Sequence, residues 1–157
     1  MGPFEFSELA VPDERVRNLF RASFGSPPPD FPRHYVALQR NTHEIAGYVH
    51  YTEQFPGIFL CGGLCVQKSI YRNLTEAERE VVQRHGSLSR WLLNESIDLL
   101  PGKIAVFAYT GRVESRRDGL ASGFVPTSHR YLIVRWHQAP PAMHADLTSK
   151  VAALGPF

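Results

Sequence analysis

Tyr35-Val36-Ala37-Leu38-Gln39, then Arg40-Asn41-Thr42-His43-Glu44, then Ile45-Ala46-Gly47-Tyr48-Val49-His50-Tyr51: two runs of strand formers flank a polar, turn-prone stretch, the pattern of a β-hairpin. Phe55-Pro56-Gly57 makes the next turn, and Ile58 to Val66 reads as a third strand. Gly62-Gly63 interrupts that strand, which points to a bulge or to a close approach of some group to bare backbone. Toward the N-terminus, Phe4-Glu5-Phe6-Ser7-Glu8-Leu9-Ala10 alternates apolar and polar residues as a half-buried strand does. Pro12-Asp13 then opens a helix whose Val16, Leu19, Phe20 and Phe24 share one face and which Gly25 can end. Ser26-Pro27-Pro28-Pro29-Asp30-Phe31-Pro32 cannot continue it and reads as a stiff connector.

Beyond the hairpin, Thr75 and Glu78 form a capping box, so a helix starts there and runs to about His85. Gly86-Ser87 breaks it and starts another, with Leu88, Trp91, Leu92 and Leu99 as an apolar stripe along residues 87–100 and Pro101-Gly102 as its end. Ile104-Ala105-Val106-Phe107-Ala108-Tyr109 is apolar on both faces, as a central strand between two layers is. Val113 to Ser122 is a short helix closed by Gly123. Phe124-Val125 and Tyr131 to His137 are strands, and Ala142 to Leu154 forms a terminal helix.

Of the 157 residues, 43% are hydrophobic and 20% charged, a globular composition in a length that suits one domain over residues 1–157, with a core at about 4–137 and a tail at 138–157. Such a chain buries roughly two thirds of its unfolded surface, so it needs neither disulfides nor a metal to fold. Cys61 and Cys65 stand too close in sequence to staple a fold, and no signal-peptide pattern opens the chain, so a reducing cytoplasmic setting is expected. No apolar run approaches the roughly 20 residues that cross a bilayer, which excludes a helical membrane span. A net charge of +2 is far from the basic stripe of a nucleic-acid binder but suits an anionic small ligand.

The order strand, helix, three strands, helix, strand, helix, two strands resembles the general N-acetyltransferase (GNAT) superfamily. The local text carries the same resemblance over about residues 4–137. Val36-Ala37-Leu38 followed by Ile45-Ala46-Gly47 is similar to the family's central hairpin. Leu64-Cys65-Val66-Gln67-Lys68-Ser69-Ile70-Tyr71-Arg72 resembles the end of its fourth strand, and Leu120-Ala121-Ser122-Gly123-Phe124 the Gly-Phe that closes its last conserved helix. The resemblance implies an α/β fold built on a mixed, mostly antiparallel twisted sheet of about six to seven strands with helices on both faces.

It also implies a co-substrate, acetyl-CoA or another acyl-CoA, whose pyrophosphate sits on a loop of form Gln/Arg-x-x-Gly-x-Gly/Ala at a helix N-terminus. The physical ground is general: unsatisfied N–H groups and the positive end of the helix dipole favour phosphate. Gln83-Arg84-His85-Gly86-Ser87-Leu88 matches the first part of that form, and departs from it at Leu88. Arg72-Asn73-Leu74-Thr75-Glu76-Ala77 is a rival register that lacks the first glycine and sets two acids beside the phosphates. The pantetheine arm would pair with backbone amides of Leu64, Cys65 and Val66, and Gly62-Gly63 would leave room for the thioester.

The family's usual acid, a tyrosine, falls on Gly119, and its usual asparagine on Arg112, so both markers are missing. Tyr109 is the replacement candidate as acid, and Glu53 or His50 as base, the histidine because it ordinarily titrates in the useful range. Arg112, Arg116, Arg117 and Arg130 form a cluster that suits an anion or simply a solvated face. The histidines show no ligand spacing, so no metal site is expected. The expected function is transfer of an acetyl or other acyl group from CoA to a primary amine of a small molecule or peptide by direct attack. The alternatives are a catalytically degenerate fold that senses CoA or acyl-CoA, and a protein-interaction module. Pairing through the last strands would make a homodimer.

Overall fold

Each strand and helix forms where local chemistry favours it, and the computed structural model, which describes residues 2–157, orders them as β1 (Phe4–Leu9), α1 (Glu14–Phe24), β2 (Arg33–Gln39), β3 (Ile45–Phe55), β4 (Ile58–Val66), a 3₁₀ turn (Lys68–Asn73), α2 (Glu76–Arg84), α3 (Leu88–Leu99), β5 (Ala105–Tyr109), α4 (Val113–Ala121), β6 (Val125–Pro126), β7 (Leu132–Trp136) and α5 (Pro141–Ala152). The strands make one mixed seven-stranded sheet in the order β1-β2-β3-β4-β5-β7-β6, with helices on both sides. β4 and β5 are parallel, whereas β1–β2, β5–β7 and β6–β7 are antiparallel. The sequence expectation of a mixed, mostly antiparallel sheet therefore holds, and the elements lie within a few residues of their expected bounds. The chain divides into two compact units, one made of the segment up to His50 with Gly63–Leu99, the other of Tyr51–Gly62 with Leu100–Phe157.

In the first unit, Asp13 caps α1 by accepting the N–H of Val16 at 3.1 Å, and Gly25, at φ +77°, ends it in the left-handed conformation. Val16, Leu19 and Phe20 of α1 bury against Val36 of β2, Ile45 and Tyr48 of β3 and Cys65 of β4. Each such apolar side chain contributes roughly 1.5–3 kcal/mol by leaving water. Phe24, expected on the same face, stays 42% exposed at the helix end. Tyr48 and Gly47 are successive strand residues and point to opposite faces. Gly47 takes the other helix: a Cβ there would stand 3.0 Å from the Leu92 side chain of α3 and 3.4 Å from the Cys65 carbonyl and the Val66 side chain. α3 thus seats close on the ends of β3 and β4. Its buried stripe is Leu88, Trp91, Leu92, Leu93 and Ile97. Leu99, assigned to the stripe from spacing, is 52% exposed, because the helix ends there and Leu100 takes the buried place.

In the second unit, Ile58 and Leu60 of β4, Ala105 and Phe107 of β5, Leu132 and Val134 of β7 and Val151 of α5 form the core. The β3–β4 turn needs Gly57 at φ +73°, where a Cβ would meet the Gly102 carbonyl at 2.8 Å. α4 packs hard on β7: a Cβ on Gly119 would stand 2.6 Å from Ile133 Cδ1.

Candidate active site

The loop between α2 and α3 is shaped by Gly86, whose φ of +85° turns the chain while its N–H donates to the Gln83 carbonyl at 2.9 Å. Across the turn lies the Arg90 side chain: a Cβ on Gly86 would be 2.8 Å from Arg90 Nη1 and 2.9 Å from its Cδ. Ser87 caps α3 by accepting the N–H of Arg90 at 3.1 Å, and the N–H of Leu88 donates to the Tyr71 hydroxyl at 3.1 Å. The first turn of α3 is therefore held by neutral side-chain oxygens, with the Arg90 side chain folded back over Gly86 and Arg84 ending α2 in sequence just before the turn. Leu88, where the resemblance expects glycine or alanine, is fully buried and anchors the helix. His85 stacks flat on Trp91, ring centroids 4.0 Å apart at 2°. It thereby closes over an indole that Phe4 and Phe6 also contact.

The rival register has a different character. Thr75 Oγ1 accepts the N–H of Glu78 at 3.2 Å while Glu78 Oε2 accepts the N–H of Thr75 at 2.8 Å. The N-terminus of α2 is thus closed by its own carboxylate, with Glu76 beside it, and repels an anion.

β4 pairs with β5 from Ile58↔Ala105 to Cys61↔Ala108 and runs on to Val66 beyond the last of these pairs. Gly63, at φ +65°, kinks this terminal stretch. The space a side chain would take there is filled by Phe20 Cε2 at 2.6 Å and by His50 Nδ1 and Cε1 at 2.7 Å from the Cβ position. The bare backbone that the sequence left for a thioester thus receives an imidazole and a phenyl ring. Gln67 closes the strand by donating its N–H to the Ala46 carbonyl at 2.8 Å. Leu64 and Val66 are half-buried, and Cys65 is buried.

No family model matches the chain, and no curated protein does. Solved structures do. The ribosomal-protein-S5-alanine acetyltransferase of Vibrio fischeri matches at TM-score 0.57 and 15% identity, over 89% of this chain and 97% of its own. YhhK of Escherichia coli, a structure bound to coenzyme A, matches at TM-score 0.55 and 17% identity, over 85% and 98%. A GNAT-family acetyltransferase of Staphylococcus aureus matches at TM-score 0.55 and 12% identity, over 84% and 99%. The chain has the acyl-CoA N-acyltransferase fold.

At Gly119, where the resemblance expects a tyrosine, a Cβ would stand 2.6 Å from Ile133 Cδ1, so a side chain there needs Ile133 to move. The two candidate acid and base residues of the second unit have local partners. Glu53 Oε1 accepts the N–H of Gly57 at 3.1 Å and braces the β3–β4 turn. Tyr109 packs edge-on against Phe157, centroids 5.0 Å apart. Arg116 donates to the Arg130 carbonyl at 3.2 Å, and Arg130 lies over the Tyr131 ring at 5.1 Å, so part of the arginine cluster serves local structure.

His50, in the first unit, is the candidate with a chemical neighbourhood. Burial, with the nearby His34 adding to it, pushes its pKa down to about 4. The expectation that it titrates near neutrality is thereby corrected: it is a neutral imidazole at physiological pH. Its Nδ1 lies 3.3 Å from the Tyr48 hydroxyl, which lies 2.7 Å from His34 Nδ1. Sequence reading missed Tyr48 and His34. Tyr48 and His50 stand two apart on one strand and so share a face, which was a readable signal; His34 is on another strand and was not.

Both thiols are poor nucleophiles. Burial raises Cys61 to about 12 despite a hydrogen bond with Tyr51, and Cys65 to about 11 despite one with Ser23. Neither is a thiolate near neutrality. Among the described residues no group of three or more His, Cys, Asp and Glu side chains could hold a metal ion, and no helix is long and apolar enough to cross a membrane.

Proposed function

We propose that this protein is an N-acyltransferase that moves an acetyl or other acyl group from CoA to a primary amine by direct attack. The observation that carries the reading is the turn from α2 into α3: a left-handed Gly86, a helix N-terminus capped by Ser87, and Arg90 folded back over the turn with Arg84 preceding it in sequence. Gln83, Arg84, His85, Gly86, Ser87 and Leu88 supply the loop, with phosphate oxygens replacing the Tyr71 and Ser87 oxygens at the amides of Leu88 and Arg90. Arg84 and Arg90 add charge on either side. The pantetheine arm lies along Leu64, Cys65 and Val66, and backbone amides there face the thioester oxygen as it becomes an oxyanion.

The protein's main contribution is to hold two substrates together in a reactive orientation. With both thiols protonated, the acyl group passes straight from sulfur to nitrogen. Tyr109 and Glu53, each tied to its local partner, rank below His50 in this scheme. The test is release of free CoA thiol from acetyl-CoA across a panel of small amines and peptide N-termini. Amine-dependent release is the expected result. Tight acetyl-CoA binding without release by any amine would contradict an enzyme and favour the sensor alternative.

A further inference from the structure

His34, Tyr48 and His50 form a line of three polar side chains inside the apolar packing of α1 on the sheet. His34 and Tyr48 are fully buried. Phe20 of α1 packs edge-on against Tyr48 at 5.7 Å and lies 6.0 Å from His50, so water has little access to the middle of the line. Buried polar groups at this depth have to satisfy one another, and the order in which they do so fixes every proton.

The line starts at a group that can only accept. His34 Nε2 lies 3.3 Å from the Asp30 carbonyl oxygen, so it carries the N–H. His34 is neutral, because burial pushes its pKa down more than Asp30 and Glu8 raise it, and its Nδ1 therefore holds a lone pair. Tyr48 must then donate its O–H to His34 Nδ1 at 2.7 Å. The tyrosine oxygen, its proton committed, accepts from His50 Nδ1 at 3.3 Å. The last nitrogen, His50 Nε2, is left with an unshared pair. It has no hydrogen-bond partner among the described residues, and it is not sealed from solvent.

We infer that His34, Tyr48 and His50 are a one-way hydrogen-bond chain, anchored on the Asp30 carbonyl, whose open end at His50 Nε2 takes the proton from the attacking amine. The inference rests on the acyltransferase reading and names its base. When the amine nitrogen has bonded to the thioester carbon, its N–H proton passes to His50 Nε2. The Nδ1 proton moves to the Tyr48 oxygen, and the Tyr48 proton moves to His34 Nδ1. Collapse of the tetrahedral adduct breaks the C–S bond and leaves the electron pair on the CoA sulfur. His50 and Tyr48 end neutral with the proton on His34, where burial disfavours the charge, and the proton returns along the same chain to the departing CoA thiolate. His50 is the catalytic residue of this scheme; Tyr48 and His34 position it.

The groups facing the line are few. β1 contributes Glu8 and the connector before β2 contributes Asp30, both acting on His34; β2 contributes His34, β3 contributes Tyr48 and His50, β4 contributes the protonated Cys65 thiol near Tyr48, and α1 contributes Phe20 and the Ser23 hydroxyl bonded to that thiol. None competes for His50 Nε2. The His50 ring itself stands beside Gly63, its Nδ1 and Cε1 2.7 Å from the glycine's Cβ position, on the strand that is assigned the pantetheine arm.

The test is nitrogen NMR of the imidazoles in the full chain at pH 7.5, paired with turnover. His50 is expected as the Nδ1–H tautomer, and Tyr48→Phe is expected to shift it toward Nε2–H; a wild-type Nε2–H tautomer, or one indifferent to Tyr48→Phe, overturns the chain. In turnover, His50→Gln lowers kcat by roughly 100-fold and Tyr48→Phe by roughly tenfold, with acetyl-CoA affinity unchanged. Wild-type kcat in both variants overturns the base while leaving the acyltransferase reading intact. Failure of the wild type to bind acetyl-CoA removes that reading, and the base with it, whatever the tautomer.

Discussion

Two helices of the same unit follow one another in sequence, starting at Glu76 and Leu88, and their N-termini have opposite chemistry. α2 closes on itself: Thr75 and Glu78 satisfy each other's backbone amides, and a carboxylate occupies the place where an anion would sit. α3 is held by neutral oxygens of Ser87 and Tyr71, with the Arg90 side chain over Gly86. Both ends carry the same helix dipole, so the dipole alone cannot decide where a phosphate goes. What decides is whether the amides are already matched to a charge. α2 is a finished structural cap, whereas α3 has a cap that a stronger acceptor can displace.

The comparison has to be made above about pH 7, because the largest expected effect belongs to neither helix end. His50 has a pKa near 4 when folded and an ordinary histidine value near 6.5 in the unfolded chain, so unfolded molecules bind more protons between those values. Stability is full above pH 6.5 and falls by up to about 3 kcal/mol as pH drops toward 4. Denaturant melts across that range should show the slope in the wild type and a shallower one in His50→Gln. Next in size, the double variant Arg84→Glu/Arg90→Glu should weaken acetyl-CoA binding roughly 100-fold, about 2.8 kcal/mol, by calorimetry. An unchanged affinity would break the contrast between the two ends. Thr75→Ala should cost about 1 kcal/mol of stability and leave acetyl-CoA affinity alone. The smallest effect sharpens the contrast: Tyr71→Phe frees the Leu88 amide, and should tighten acetyl-CoA roughly threefold, about 0.7 kcal/mol, at some expense in stability.

Much of the fold was legible because its signals are local. The Thr75 capping box, the left-handed end of α1 at Gly25, the break between α2 and α3 at Gly86 and the alternation of β1 each depend on a few neighbouring residues, and all appear as read. Leu99 failed because periodicity cannot say where a helix ends relative to its neighbours, whereas Phe24 does share the face of Phe20, 4.7 Å away, while staying partly exposed. The site was less legible. The loop residues were singled out by the family resemblance, but Arg90 was not, since its place beside Gly86 comes from the side chain folding back. Gly63 was read correctly as a place of close approach; what approaches it, His50 and Phe20, comes from β3 and α1 and is a tertiary fact. The neutral state of His50 likewise follows from burial, which a single sequence does not display.

The central claim is that an acyl-CoA seats its phosphates on α3 and not on α2. The most direct measurement is a backbone amide NMR titration of the full chain with acetyl-CoA at pH 7.5. The account predicts that the amides from Gly86 to Arg90 move together and saturably while those from Thr75 to Glu78 stay still; movement confined to Thr75–Glu78, or no movement at either end, would contradict it.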